Sequence, residues 1–253
     1  MKSVLASSRR RFLTVLLFGF ALWDGYSSAD QVKVAVAANF TAAMKEIAKG
    51  FEQSTGHRAL ISYGSTGKLY AQIVNGAPFG VFLAADQVRP QRLEQAGKAS
   101  RRFTYATGKL VLWSADPDTV DPEGNVLREG EFRHLAIANP KTAPYGSAAM
   151  EVLGKLGLEA NVRPRLVRGD SIAQTHQFVA TGGAQLGFVA LAQLALMEEG
   201  SQWEVPQSLY PPIHQDAVLL SAGEDQPAAL ALLDYLAGEE AGAVIRRFGY
   251  GVN

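Results

Sequence analysis

Short apolar runs and helical stretches take turns along most of the chain, and this alternation restricts the fold more than any single motif does. VKVAVAA (32–38), RALISY (58–63), GVFLAA (80–85) and KLVLWSA (109–115) read as strands. So do HLAIAN (134–139), PRLVRG (164–169), LGFVALA (186–192) and DAVLLSA (216–222). Several are apolar almost without interruption, as strands become when helices cover both faces of a parallel sheet. Between them, FTAAMKEIAKGFEQSTG sets Phe40, Met44, Ile47 and Phe51 on one helix face and stops at Gly56. SAAMEVLGKLG and SIAQTHQFVATGG are further helices, and PAALALLDYLAGEEAGAVIRRFG reads as a helix broken near Gly238. The expectation is an α/β protein of mainly parallel sheets flanked by helices. At 253 residues it fits one large domain or two smaller ones. SADPDTVDPEGNVLREGEFRH (114–134), rich in turn formers and charge, reads as a surface excursion early in a second unit.

The N-terminus stands apart from this pattern. Arg9, Arg10 and Arg11 precede an apolar run from Phe12 to Trp23, and small residues Ser27 and Ala29 follow. That is the layout of a secretory leader over residues 1–29, with a mature start near Asp30. The apolar run is too short to span a bilayer. SRRRFL also matches the twin-arginine pattern, so both the general and the twin-arginine export routes stay open. Removing the leader takes away Lys2 and the three arginines but only one acid, Asp24, which leaves the remainder mildly acidic. A mildly acidic chain without a basic patch argues against nucleic acid as a partner. The chain has no cysteine, so disulfides, thiolate metal sites and cysteine nucleophiles are excluded. The fold must be held by its core, and the length permits a large one.

Within ISYGSTGKLYAQIVNG the segment GSTGK imitates a phosphate-binding loop. The full pattern would place its first glycine at Ser62 and its magnesium-binding hydroxyl at Leu69, so the nucleotide reading fails. The underlying physics survives, because a helix N-terminus offers unpaired N–H groups and the positive end of a dipole. Three more strand-to-helix junctions share the feature: VAANFTAAM with Asn39, ANPKTAPYGSAAM with Tyr145, and RGDSIAQTH with Asp170 and Ser171. Ligands of open parallel sheets bind beyond the carboxyl ends of the strands. Four such junctions facing one crevice would offer backbone N–H groups and the side chains of Asn39, Ser65, Thr66 and Tyr145, all neutral. An oxyanion could then be held without a salt bridge, each charge-assisted bond contributing roughly 1.5–3 kcal/mol.

Plainer readings stand beside this one. Ser65, Thr66, Asn39 and Ser171 are ordinary N-cap types, and Tyr145 reads equally as a surface aromatic. Lys68 and Lys141 sit where the helix dipole disfavours cations, and they read as solvated lysines or as neighbours of an anion. Asp170 is a good cap and a poor anion ligand. His57, His134, His176 and His214 are scattered, and no H-E-x-x-H or G-x-S-x-G motif is present. A secreted serine hydrolase using Ser65 or Ser171, or a receptor domain that senses an anion, are the competitors from other classes.

The stretches AVAANFTAAM, GSTGKLYAQIVNGAP, FLAAD, FTYATGKLVLWSA, AIANPKTAPYG and LGFVALAQ together resemble the periplasmic molybdate-binding proteins of molybdate ABC importers, from about Val32 to the C-terminus. The resemblance implies a clamshell of the periplasmic binding protein type, with residues 30–106 and 217–253 in lobe 1 and 107–216 in lobe 2. Hinges would lie near Tyr105–Lys109 and His214–Val218. It places ligand contacts at Asn39 and Thr66 in lobe 1, with Ser65 sharing the role, and at the backbones of Tyr145 and Ile172 in lobe 2. It implies molybdate, and tungstate with it, as ligand, the molybdenum being bound as its oxyanion with no direct metal ligand and no cofactor. It also implies a periplasmic, monomeric binder that is no enzyme and meets the permease subunits of an importer. Sulfate or phosphate is the alternative ligand within the class. Some members offer a tyrosine hydroxyl from the motif after G-[IF]-V, where this chain has Ala190; Asn39 would supply the missing donor.

Overall fold

The computed structural model describes residues 29–252 apart from Glu198, so nearly all of the expected leader lies outside the described residues. The chain opens with β1 (Gln31–Ala37), a single 3-10 turn (Ala38–Phe40), α1 (Thr41–Thr55), β2 (Arg58–Gly64), α2 (Thr66–Val74), β3 (Val81–Leu83), α3 (Val88–Gln95) and β4 (Ala99–Gly108). A second unit follows with β5 (Leu110–Ser114), α4 (Val126–Glu129), β6 (Leu135–Ala138), α5 (Pro144–Lys155), α6 (Glu159–Val162), β7 (Leu166–Gly169), α7 (Ile172–Ala180), β8 (Leu186–Ala190), α8 (Leu191–Leu194) and β9 (Ser201–Glu204). The chain then returns to the first unit with β10 (Ile213–Leu220), α9 (Pro227–Leu236) and α10 (Glu239–Arg247). Two five-stranded sheets result, in the orders β2-β1-β3-β10-β4 and β7-β6-β8-β5-β9. The protein is therefore a two-lobed α/β fold, and the chain passes between lobes at Lys109 and again within residues 205–212.

Period-two alternation explains how the inner strands are buried on both faces. In β1, Val32, Val34 and Val36 face a layer made by α1, α9 and α10, while Ala35 faces the other way with Leu69 and Ile73 of α2 and Leu93 of α3. Phe40, Met44, Ile47 and Phe51 are all fully buried, as the helical spacing requires, and α1 ends in a left-handed Gly56 at φ 74°. In the second lobe, Leu110, Leu112, Ile137 and Phe188 pack with α5, and Val111, Trp113 and Val189 pack with Val179 of α7. The excursion after β5 is pinned rather than loose. Val120, Leu127 and Phe132 join the lobe-2 core, and the Asp121 carboxylate accepts the N–H groups of Glu123, Asn125 and Val126.

The sheets are mixed, which corrects the expectation of mainly parallel ones. β1 pairs parallel with β2 and β3, and β6 with β7 and β8, but β10 pairs antiparallel with β3 and β4, and β5 with β8 and β9. Direction follows from connection. The parallel strands are joined by helical crossovers, whereas the antiparallel ones carry the chain in from the other lobe. The two strands absent from the sequence reading, β4 and β9, are sheet edges. Their polar and charged residues (ASRRFTYATG and SQWE) hide the apolar signal. Near the C-terminus, Gly251 exchanges two backbone hydrogen bonds with Thr107 of β4, at 2.8 and 2.9 Å. That anchor brings Tyr250 to the boundary between the lobes.

Candidate functional site

The parallel strands β1, β2, β6 and β7 all end at the boundary between the lobes, and a helical turn begins just beyond each. One small enclosed cavity lies among these junctions. Lobe 1 lines it with Asn39, Ser65 and Thr66 beside Ala37, Ala38 and Ala85, and lobe 2 with Ala143, Pro144, Tyr145 and Ile172. The five candidate residues thus meet around a single chamber. About 10 Å³ is left there for the centre of a water-sized sphere, the scale of one small ion rather than of a sugar or a peptide. A larger groove of about 480 Å³ runs along the same lobe boundary between Arg89, Arg92, Glu151 and His214, but it is open and lacks the converging helix starts.

The polar groups of the chamber follow from helix geometry. Tyr145 is the second residue of α5, after Pro144, and Ile172 is the first of α7, so their N–H groups have no carbonyl within their own helix to pair with. In lobe 1 the Ser65 hydroxyl is buried, with no hydrogen-bond partner among the described residues. The Thr66 hydroxyl accepts the Ala85 N–H at 3.1 Å and keeps its own proton to donate. Every side chain lining the chamber is neutral.

Asn39 departs from its expected role. Its side-chain amide was to donate into the crevice, but it spends both protons elsewhere, on Gln215 Oε1 at 2.9 Å and Tyr250 Oη at 3.0 Å. Asn39 therefore presents its backbone, at the start of the turn after β1, and not its side chain. Nor does it replace the tyrosine absent at Ala190. Ala190 is fully buried as the N-cap of α8 and its N–H donates to Gln193 Oε1, while Gln193 Nε2 donates to the Ile172 carbonyl. Gln193 thus steadies the first turn of α7.

The remaining junction residues sort by what they bond. Ser171 Oγ accepts the Gln174 N–H at 3.3 Å, so it is an N-cap. Asp170 does not cap; its carboxylate pairs across the cleft with Lys68 at 2.7 Å. The Gly67 N–H donates to the Thr142 carbonyl of lobe 2 at 2.8 Å, and Arg89 Nη2 donates to the Lys141 carbonyl at 3.1 Å. GSTGK thus closes the lobes with Gly67 and Lys68 while it faces the chamber with Ser65 and Thr66. His176 is packed, its ring stacked on Trp113 at 4.9 Å, and burial lowers its pKa.

Behind the chamber lies a polar cluster that the sequence reading missed. Gln215 Oε1 accepts from Asn39 and from Tyr105 Oη at 3.1 Å, and Gln215 Nε2 donates to Tyr145 Oη at 3.2 Å. Tyr250 Oη donates to the Asn39 carbonyl at 2.8 Å. Burial pushes the hydroxyls of Tyr105, Tyr145 and Tyr250 well above the usual phenol range, so all three stay protonated. The one available signal was Gln215-Asp216, a polar pair inside an otherwise apolar strand; both residues are fully buried. Among the described residues, no group of three or more His, Asp or Glu side chains gathers to hold a metal ion.

Comparison with known proteins adds a separate line of observation. The sequence profile described as bacterial extracellular solute-binding protein matches residues 32–251. The molybdate-binding protein ModA of Azotobacter vinelandii is 57% identical over 243 residues, which cover 94% of this chain and 96% of that protein. ModA of Rhodobacter capsulatus is 51% identical over 237 residues, covering 93% of this chain and 92% of the relative. Among solved structures, the Azotobacter vinelandii periplasmic molybdate-binding protein matches with a TM-score of 0.85 at 44% identity, covering 88% of this chain and 99% of that one.

Proposed function

The chain belongs to the bacterial extracellular solute-binding proteins, and from that membership we propose that it captures molybdate, and tungstate with it, between its two lobes and delivers it to the permease of an ABC importer. The observation that carries the reading is the chamber itself. A Ser65 hydroxyl, buried and without a hydrogen-bond partner among the described residues, lies where residues of four strand-to-helix junctions meet, and no charged side chain lines the space. An unsatisfied buried hydroxyl costs about 1–3 kcal/mol, and an oxyanion is the partner that would repair it. The proposed ligand set is the Asn39 backbone, Ser65, Thr66, and the N–H groups of Tyr145 and Ile172. The proposed lobes are residues 30–106 with 217–253, and 107–216; Thr107–Gly108 and Ile213–Asp216, which still pair within the first sheet, are the ends of the crossing strands that join them.

The cycle follows from the geometry. An open form takes the dianion on one lobe. The second lobe swings over, the Gly67–Thr142, Arg89–Lys141 and Lys68–Asp170 contacts form, and water leaves. The anion favours closure only by the difference in its affinity for the two forms. On this reading the fixed neutral donors are matched to long metal–oxygen bonds, so a smaller sulfate would be held with stretched hydrogen bonds. Phosphate at neutral pH carries a proton that calls for an acceptor, and no carboxylate lines the chamber. The reading includes export to the periplasm, a monomeric state, and no catalysis. Ser65 has no hydrogen-bond partner and Ser171 is engaged as a cap, so neither forms a nucleophile–base pair among the described residues.

Thermal unfolding of the mature chain with molybdate, tungstate, sulfate or phosphate at equal concentration tests this. Ligand at about a hundred times its Kd adds ~2.7 kcal/mol, a rise of roughly 5–10 °C at this size. A rise with molybdate and tungstate alone is expected. A rise with sulfate alone would replace the ligand, and no rise with any of the four would end the reading.

A further inference from the structure

We propose that Gln215 is a positioning residue for anion capture: its buried amide ties the lobe-1 turn that carries Asn39 to the lobe-2 helix that carries Tyr145, and so sets the register in which the two halves of the chamber close. The inference rests on the anion-binding reading above and goes beyond it to a residue outside the chamber wall.

Gln215 lies on β10, the strand that brings the chain back from lobe 2, and it is fully buried. The pairing of β10 with β4 shifts register between Gln215 and Asp216. Such an irregularity re-aims a side chain that plain alternation would place elsewhere. The carbonyl oxygen of the amide serves lobe 1, accepting Asn39 Nδ2 at 2.9 Å and Tyr105 Oη at 3.1 Å. Its nitrogen serves lobe 2, donating to Tyr145 Oη at 3.2 Å. Asn39 lines the chamber from lobe 1 and Tyr145 lines it from lobe 2.

The approach of the two side chains requires Gly108. A Cβ there would stand 2.0 Å from Tyr145 Oη and 2.7 Å from Gln215 Nε2. Gly108 is the last residue of β4, immediately before the crossing. The amide therefore sits beside the crossing between the lobes, and in this register both of its ends are satisfied together. A misaligned closure would leave a buried N–H and a buried phenol without partners, which a polar core punishes more than an apolar one does. The titratable groups around it are the three buried tyrosines, held protonated. His214 before it is bonded to Thr107, and Asp216 after it is bonded to Arg102, Thr104 and Gln87.

The test uses the mature chain as wild type, Gln215→Met and Gln215→Glu. Titration calorimetry with sodium molybdate gives affinity, and melting of the anion-free chains gives stability. Gln215→Met keeps the bulk and removes the hydrogen bonds. It is expected to bind at least about tenfold more weakly while its anion-free melting temperature stays within a few degrees of wild type. The carboxyl introduced by Gln215→Glu is buried, so its pKa rises, and when protonated it copies the amide, with an O–H for Tyr145 and a carbonyl for Asn39 and Tyr105. Its affinity is expected to recover about tenfold between roughly pH 8 and pH 5.5, a range over which wild type changes little. Equal affinity of all three chains overturns the proposal. So does a Gln215→Met loss that merely tracks a lower melting temperature, together with no pH-dependent recovery in Gln215→Glu. A wild type that binds no molybdate instead removes the functional reading, and that result appears before any variant is compared.

Discussion

Gly67→Ala separates closure from folding with one methyl group. Gly67 is the second residue of α2, and a Cβ there would meet Thr142 Cα at 2.9 Å, the Thr142 carbonyl oxygen at 3.0 Å and Arg89 Nη2 at 3.2 Å. The first two atoms are backbone of the opposite lobe, so a side-chain rotation cannot relieve the contact. The methyl also pushes apart the Gly67 N–H and the Thr142 carbonyl, which stand 2.8 Å apart. The lost hydrogen bond costs about 0.5–1.5 kcal/mol and the overlap about 1–3 kcal/mol. Together, at about 1.5–4.5 kcal/mol, they weaken molybdate binding between about tenfold and about a thousandfold. The anion-free open form has no such clash. There alanine replaces glycine near the start of a helix, which stabilises by up to about 1 kcal/mol, or roughly 2–4 °C. The expected signature is thus a weaker Kd by calorimetry with an unchanged or higher melting temperature without anion. Unchanged affinity would show that the Gly67–Thr142 contact is not part of the ligand-bound state. A lower anion-free melting temperature would show that the contact belongs to the fold and not to closure.

Ser65→Ala removes a buried hydroxyl that has no protein partner, so anion-free stability is expected to hold or rise, while molybdate affinity falls by about 1.5–3 kcal/mol in the same calorimetric assay. Lys68→Ala and Asp170→Ala break a pair whose side chains are 51% and 71% exposed; each is expected to shift Kd by only a few-fold, about 0–1 kcal/mol, and less in high salt. Stability should fall in alkali. Tyr105, Tyr145 and Tyr250 have folded-state pKa values raised by burial, so above about pH 10 the unfolded chain loses protons that the folded chain keeps, and melting temperature drops as pH rises. His176 acts at the other end. Burial lowers its pKa, so stability is also lost below roughly pH 6.5, where the unfolded chain takes up a proton first. Melting curves across pH check both signs, and a flat alkaline limb would contradict the buried phenols.

What could be read from the sequence was whatever local pattern controls. The face of α1, its stop at Gly56 and the break at Gly238 between α9 and α10 follow from spacing and from glycine alone. The four junctions were legible because each pairs an apolar strand with a helix start. Nothing local, however, reveals that β10 and β5 run antiparallel to their neighbours, since that depends on which lobe the chain arrives from. β4 was lost for a related reason. Its polar residues bond to specific distant partners: Thr104 and Arg102 reach the buried Asp216 carboxylate, and Arg101 reaches Asp234. Asn39 lines the chamber, but the engagement of its amide is not legible locally, because the groups that occupy it, Gln215 and Tyr250, lie 176 and 211 residues away.

The same long-range pairing decides what the chamber can distinguish. A lysine or arginine pointed inward would attract every anion by charge, with little regard for size. Here no charged side chain lines the chamber, and two of the cations close to it in sequence are engaged elsewhere. Lys68, two residues from Thr66, is paired with Asp170, and Arg89, four residues from Ala85, is paired with Asp86. Only dipoles are left to face the ligand, and dipoles discriminate by distance and direction. Their positions must then be fixed more firmly than a flexible charged side chain would require. That demand accounts for the buried amide of Gln215, the glycine at 108, and a C-terminal strand partner that delivers Tyr250 to the back of the chamber. In a clamshell the donors come from two bodies that move, so the rigidity has to be assembled at closure, and the polar cluster beside the crossing strands is where both bodies can be held at once.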